Sequence, residues 1–378
     1  MKILFLTPWY PDAQQPGHGI FIRDQVRAIV AVGHEVRVIK VKVDYSRSGL
    51  LSCKKEIISD GAVTEMHLNI ASSFRVFNQV NFFMVCFLES LRVVQSFRPD
   101  VIHGNIGYPG AFWSWITSKY CKLPVVLTEH TLLHNNFRSK VHKWFTINFI
   151  RKMDQVITVS NHSASIIEKW TGVRPVVIPN IVDLTLFRSI HSFPDTAIVQ
   201  MGFLGNGFKK KGLDTLFSSL VGINMPFRLF IGGIDEKELN TYKEMAHLFR
   251  LQDKVEFVGF VPKQEVPGFM SRLHFFVSPS VFESFGVAIA EAMACGLPVV
   301  CTDSGGPGDF VNKENGILVP VGDSDALRNA LLTMFRNYAV YDREAIRLSI
   351  VSRFSAYRIA DEITGVYRRV ISAHKEIN

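Results

Sequence analysis

Two glutamates, Glu283 and Glu291, flank a glycine, Gly286, within the run SPSVFESFGVAIAEAMACGLPVVCT, Ser278 to Thr302. Carboxylates accept hydrogen bonds from sugar hydroxyls, and the start of a helix offers unpaired amides and a partial positive charge that suit a phosphate. Ser284-Phe285-Gly286 lets the amides around Phe285, Gly286 and Val287 face outward, with no bulky side chain at the glycine. At a rise of about 1.5 Å per residue, Glu291 lies roughly 7–8 Å along the helix axis from Gly286. A diphosphate on the helix start would therefore put a sugar near one carboxylate and a ribose near the other.

The elements that must hold this arrangement are legible on either side. Phe275-Phe276-Val277 reads as a buried strand, Glu283 to Cys295 as a closely packed helix of small and apolar residues, and Val299-Val300-Cys301 as the next strand. Gly296 supplies the left-handed residue that ends a helix, and Pro298 cannot continue it.

The run closely resembles the E-x7-E signature of family 4 retaining glycosyltransferases of the GT-B fold, in the strings S-P-S-x-x-E-S-F-G and E-A-M-A-C-G-x-P-V-V. The resemblance implies that Glu283 lies near the donor sugar, that Glu291 binds the ribose of a sugar nucleotide, and that the amides of Phe285, Gly286 and Val287 meet the diphosphate.

Composition bounds the rest. The chain has 378 residues, 47% hydrophobic and 20% charged, which excludes disorder and suggests two domains. Cys53, Cys86, Cys121, Cys295 and Cys301 are scattered without a C-x-x-C pair, so neither a disulfide framework nor a zinc site is expected. No signal peptide or stretch of 18 apolar residues is apparent, which suggests a cytoplasmic protein. Of 42 Lys+Arg and 34 Asp+Glu, residues 1–182 hold 21 and 12, leaving 21 and 22 for the remainder. The first half is the basic half.

In the first half, Lys2 to Thr7 reads as a strand and Pro8 to Gly19 as a Pro/Gly-rich loop before an amphipathic run, Ile20 to Val32. Phe21-Ile22-Arg23 follows Gly17 and Gly19, so the third glycine of a dinucleotide fingerprint is missing and a nicotinamide enzyme is disfavoured. The resemblance makes Gly17 and Gly19 candidates for approaching the donor diphosphate. Residues 45–75 are poorly periodic and unassigned. Val76 to Val94 reads as a helix whose aromatic stripe belongs to a core. Val125 to His130 reads as a strand with its polar residues at the carboxyl end, the edge at which open α/β sheets bind ligands. By resemblance His130 contacts the donor sugar, with His103 as a lesser candidate. Ser160-Asn161 can cap a following helix.

Val176 to Phe187 resembles the family's segment leading from the first domain to the second, with Ile181 in place of the usual glycine. The expected domains are residues 1–182, joined by a final helix within 356–378, and residues 183–355. After Gly202 the family has an arginine and then a lysine, both gripping the diphosphate. Here Lys211 matches the lysine, Phe203 stands at the arginine position, and Lys209 or Lys210 is the candidate for the missing charge. By resemblance Gly259, Phe260 and Val261, at a strand exit, are expected against the nucleotide base. Asp323-Ser324-Asp325 spells a metal-binding D-x-D of another fold, but it precedes a helix and reads as an N-cap.

The resemblance thus implies two Rossmann-like, doubly wound domains facing a central cleft, with a C-terminal helix crossing back to the first. It implies a hexosyltransferase that retains anomeric configuration, with catalytic candidates His130, Glu283 and Lys211 and with no metal or cofactor. The expected acceptor is a saccharide or polyprenyl-linked saccharide in cell-surface polysaccharide assembly. The basic first half adds a possible contact with an anionic membrane, and no nucleic-acid motif is present. The alternatives are another GT-B enzyme, such as a sugar nucleotide epimerase or a phosphorylase, and a non-catalytic basic scaffold.

Overall fold

The computed structural model describes the chain except residues 13, 14, 16, 45–51, 61, 62, 72–74, 132, 134–136, 138, 191, 206–210, 235 and 378. It divides into two units, one of Met1–Ile181 with Ala356–Asn378 and one of Val182–Ser355. Short apolar runs buried on both faces form the strands, as expected where helices cover both sides of a parallel sheet.

In the first unit the order is β1 (Lys2–Thr7), α1 (Ile20–Ala31), β2 (Glu35–Asp44), β3 (Ser52–Asp60), β4 (Val63–Ala71), α2 (Arg75–Phe97), β5 (Val101–Asn105), α3 (Phe112–Cys121), β6 (Val125–Glu129), α4 (Lys140–Ile150), β7 (Gln155–Thr158), α5 (Asn161–Thr171) and β8 (Val176–Val177). The sheet runs β3-β4-β2-β1-β5-β6-β7-β8, and only the β3–β4 pair is antiparallel. The unassigned stretch therefore contains a hairpin that adds two strands to one edge. Its side chains lack a clean alternation because residues 53–59, on the edge strand, are exposed. Ser160 caps α5, its Oγ accepting from Ser163 N at 3.1 Å.

In the second unit follow β9 (Val199–Leu204), α6 (Leu213–Leu220), β10 (Phe227–Gly232), α7 (Glu236–Leu248), β11 (Val255–Gly259), α8 (Val266–Met270), β12 (Phe275–Ser278), α9 (Val287–Ala294), β13 (Val299–Thr302), β14 (Gly316–Val319), α10 (Ser324–Asn337) and α11 (Arg343–Phe354). Its sheet, β11-β10-β9-β12-β13-β14, is parallel throughout. Asp323 caps α10, its Oδ1 accepting from Asp325 N and Ala326 N, so the D-x-D is a helix start as expected.

The last helix, α12 (Ala356–Ile377), returns to the first unit. Ile359, Ala360, Ile363, Val366, Tyr367 and Val370 recur at helical spacing and join the core that includes Ile22, Val26 and Ile29 of α1. Each large side chain buried there contributes about 1.5–3 kcal/mol.

Candidate active site

Parallel strands of the second unit end together, and the chemistry gathers at those ends. Lys211 Nζ lies 2.5 Å from Glu283 Oε1, and Ser280 Oγ donates to the same oxygen at 2.8 Å. Both charged side chains are partly exposed, at 23% and 17%, so the pair can be reached from solvent. Their backbone is firmly set. Gly212 has φ +63°, and a Cβ there would fall 2.0 Å from the Pro279 carbonyl oxygen, so the loop carrying Lys211 can press against β12 only with glycine at this position. On the other side Glu283 N donates to Ser304 O and Gly306 N donates to Glu283 O, both at 2.9 Å.

These bonds correct one expectation. The helix does not extend over Glu283, because that residue is held in a bridge with Gly305, and α9 starts at Val287 after Gly286 at φ +96°. The Phe285 ring is buried against Phe310 and Phe354, which leaves only its backbone for a ligand. Glu291, one helical turn after Val287, is 8% exposed rather than open to water.

Around this pair lie the other strand ends. Gly205 N donates to Gly232 O and Gly233 N to Gly259 O, so glycines line three neighbouring exits. Gly259 has φ +72°, and the Phe260 ring beyond it is 74% exposed. Phe203 offers this region no polar group, since its ring is 1% exposed in the core with Phe217, Phe275 and Ile231, its tip beneath Gly205. The side chain at the expected arginine position thus supports the sheet. Lys209 and Lys210 lie outside the described residues.

The first unit has its own polar sheet edge. His130 follows β6 and is buried, with its Nε2 donating to Asn105 Oδ1 at 3.2 Å and the Phe21 ring 4.4 Å away. Burial pushes it down to about 3, which the Asn180 side chain beside it only partly offsets. His130 Nδ1, Asn105 Nδ2 and Asn180 Oδ1 are buried without protein partners. The neighbouring Glu129 accepts from Gly107 N at 2.6 Å and from Thr131 N at 2.9 Å, so it orders the loop after β6. Sequence reasoning missed Asn105 and Asn180, although the first ends a strand and the second sits in the quoted I-P-N string.

His103 is different in kind. It is fully buried, with Nδ1 2.5 Å from the Tyr367 hydroxyl and Nε2 2.7 Å from Thr128 Oγ1, which makes it a core residue tying α12 to the sheet. Gly19, at φ +74°, lies where a Cβ would meet the Trp9 carbonyl carbon at 2.7 Å, so the loop after β1 folds tightly over the start of α1. Gly17 is exposed and has no atom within 4 Å of an added Cβ.

Residues 17–186 match the family described as Glycosyltransferase Family 4, and residues 188–347 match Glycosyl transferases group 1. The chain belongs to this glycosyltransferase family and has its two-domain GT-B fold. Among relatives, it is 22% identical over 397 residues to TuaC of Bacillus subtilis (strain 168), a glycosyltransferase provisionally assigned to teichuronic acid biosynthesis, covering 98% of this chain and 99% of that one. It is 29% identical over 291 residues to a phosphatidyl-myo-inositol mannosyltransferase of Mycobacterium leprae, covering 74% and 75%. Its fold is similar to that of a sucrose-phosphate synthase from Thermosynechococcus elongatus, with TM-score 0.81 and 20% identity over 98% of this chain and 99% of that one. HepE of Anabaena, solved with UDP and glucose, gives TM-score 0.73 and 21% identity over 98% and 100%.

Proposed function

We propose that this glycosyltransferase moves a hexosyl unit from a nucleoside diphosphate sugar to a hydroxyl of a saccharide or lipid-linked saccharide, with retention and without a metal ion, in cell-surface polysaccharide assembly. The observation that carries this reading is the Lys211–Glu283 pair beside the start of α9, at the carboxyl ends of parallel strands. The Lys211 ammonium and the amides of Gly286 and Val287 would receive the diphosphate, while Glu283 accepts from sugar hydroxyls and Glu291 from the ribose. His130, neutral at physiological pH, can accept a sugar hydroxyl at Nδ1. The bond from the anomeric carbon to the diphosphate breaks, the acceptor oxygen bonds to the same face, and its proton goes to the leaving diphosphate. Stabilising the charge that develops on that diphosphate is the electrostatic contribution usually largest in such chemistry.

A membrane-facing site for this work is supported by the first unit. No helix among the described residues is long and apolar enough to span a bilayer. On α4, however, Val141 and Trp144 are exposed beside Lys140 and Lys143. Lys143 and Lys152 sit over the rings of Trp170 and Trp115, at 3.8 and 4.3 Å from their centroids. Aromatic side chains with lysines around them suit the headgroup region of an anionic cytoplasmic leaflet.

Calorimetric titration with UDP, GDP and ADP, each with magnesium and with EDTA, tests the donor site. One nucleotide should bind at micromolar concentration, indifferent to EDTA, and bind at least about ten-fold more weakly to Glu291→Ala. Absence of binding by all three rejects the reading. Product NMR with the matching donor then shows whether the anomeric configuration is kept. Co-sedimentation with phosphatidylglycerol vesicles at low salt, weakened in Trp144→Ala, tests the membrane contact.

A further inference from the structure

Helix α1 presents two different faces at the carboxyl edge of the first sheet. The Phe21 ring packs against His130. Arg23, two residues on, lies about 200° further round the helix, and Arg27 follows one turn later on the same side. Both arginines are close enough to Tyr10 for their charges to act on its hydroxyl, and Arg23 also acts on Glu65.

The helix packs on β2 and β4. Lys40 pairs in register with His67, and Lys42 with Asn69. Alternate residues of a strand share a face, so Lys40 and Lys42 stand beside Glu65 and His67. Lys40 Nζ is 2.5 Å from Asp12 Oδ2, and Lys42 Nζ is 3.8 Å from the same oxygen. The Tyr10 hydroxyl donates to Glu65 Oε1 at 2.9 Å, and His67 Nε2 lies 3.1 Å from Glu65 Oε2.

A surface lysine that serves only solubility keeps its ammonium in water, whereas the Lys40 side chain is 4% exposed. Burying a charge costs several kcal/mol unless it is paired. Here one carboxylate, Asp12, serves two lysines, and Glu65 is already engaged by Tyr10 and His67. Partial burial pushes both carboxyls up, but for Asp12 Lys40, the Gln15 amide and Lys42 outweigh it and hold the group at about 2. His67 and Tyr10 likewise outweigh it for Glu65, which is lowered. Both acids are therefore ionised, and Lys40, Lys42, Arg23 and Arg27 stand around them. Arg23 Nε is buried without a protein partner.

We infer that this cluster binds an anionic group of the acceptor, a carboxylate or phosphate carried by a saccharide, against Lys42, Arg23 and Arg27 with the Lys40–Asp12 pair beneath it. The inference rests on the glycosyltransferase reading and adds the chemical class of the acceptor. A helix with its side chains is about 10–12 Å across, and α1 stands between the cluster and His130. The anionic group therefore belongs to a different sugar or substituent from the one that carries the accepting hydroxyl.

The test uses the full chain saturated with UDP, so that the diphosphate site of the second unit is not what the probes detect. Glucuronic acid, glucose 6-phosphate and neutral glucose are titrated by calorimetry and saturation-transfer NMR. At least one anionic sugar should bind about ten-fold or more tightly than glucose, and Lys42→Met and Arg23→Met should each bring it down to the level of glucose. The preferred probe tells carboxylate from phosphate. Equal binding of charged and neutral sugars, no binding of either anionic probe, or full binding by both variants overturns the inference. Thermal melting and UDP affinity establish that each variant is folded, and Lys42→Arg should restore the anionic sugar. If UDP binds and the anionic sugars do not, only the acceptor assignment falls. If UDP itself does not bind, the donor reading falls separately.

Discussion

Lys211 Nζ and Glu283 Oε1 are 2.5 Å apart, although 72 residues of chain separate them. Two turns bring them together: Gly212 against the Pro279 carbonyl, and the bridge that holds Glu283 beside Gly305. Each charge satisfies the other, so a donor that uses both must come between them or share them.

Removing either member should be costly to turnover and mild for folding, because both side chains are reached by solvent. Lys211→Met and Glu283→Gln are each expected to lower kcat/KM for sugar transfer by about 100-fold or more. The melting temperature should move only a few degrees. Steady-state rates beside calorimetric melts check both statements, and a variant with wild-type turnover would remove its residue from the site.

Gly212→Ala should damage both folding and donor binding. The added methyl meets a backbone oxygen at 2.0 Å in a left-handed conformation, so Pro279 or the Lys211 loop has to move. We expect a loss of about 2 kcal/mol or more in urea unfolding. UDP affinity should fall with it.

Phe203→Arg should not rebuild a diphosphate contact. The ring is 1% exposed in the second unit's core, and an arginine there leaves both a packing defect and an unpaired charge. The expected cost is about 3–5 kcal/mol, like the removal of other buried aromatic side chains. A variant with unchanged melting and tighter UDP binding would contradict the placement.

His103 and His130 should make the protein lose stability below neutral pH. Burial lowers both from 6.5 to about 3 in the folded chain, so the unfolded chain takes up protons first as pH falls from 6.5 towards 3. Stability therefore rises with pH across that window, by at most about 1.4 kcal/mol per pH unit for each histidine. Glu129, raised by burial, acts in the opposite direction, so the comparison is best made with His103→Gln. Urea unfolding at pH 7 and pH 5 should show a smaller difference in the variant than in the wild type.

The strand, loop, helix and strand around Gly286 and the caps at Ser160 and Asp323 were legible because each depends on neighbours in the chain, whereas the return of the last helix was implied by the family resemblance. A left-handed glycine, a capping oxygen or a stripe of apolar residues acts over one or two turns, and its meaning survives in almost any fold. The resemblance of the whole motif, more than residue spacing, singled out Glu283, Glu291 and Lys211. The helix start was placed four residues too early, since apolar periodicity does not reveal that Glu283 pairs with Gly305 across the unit.

By itself, then, the sequence determined the local elements and the residue types available for chemistry, through short-range signals that need no partner, and its resemblance to a known family implied the class of fold. Only the tertiary structure decided which of two similar histidines lies under Tyr367 and which beside Asn105 and Phe21, that Phe203 turns into the core, and that an edge hairpin fills residues 52–71. Those outcomes depend on contacts between residues far apart in the chain. Burial, charge and open hydrogen-bonding capacity belong to such contacts, and no local pattern of residues specifies them.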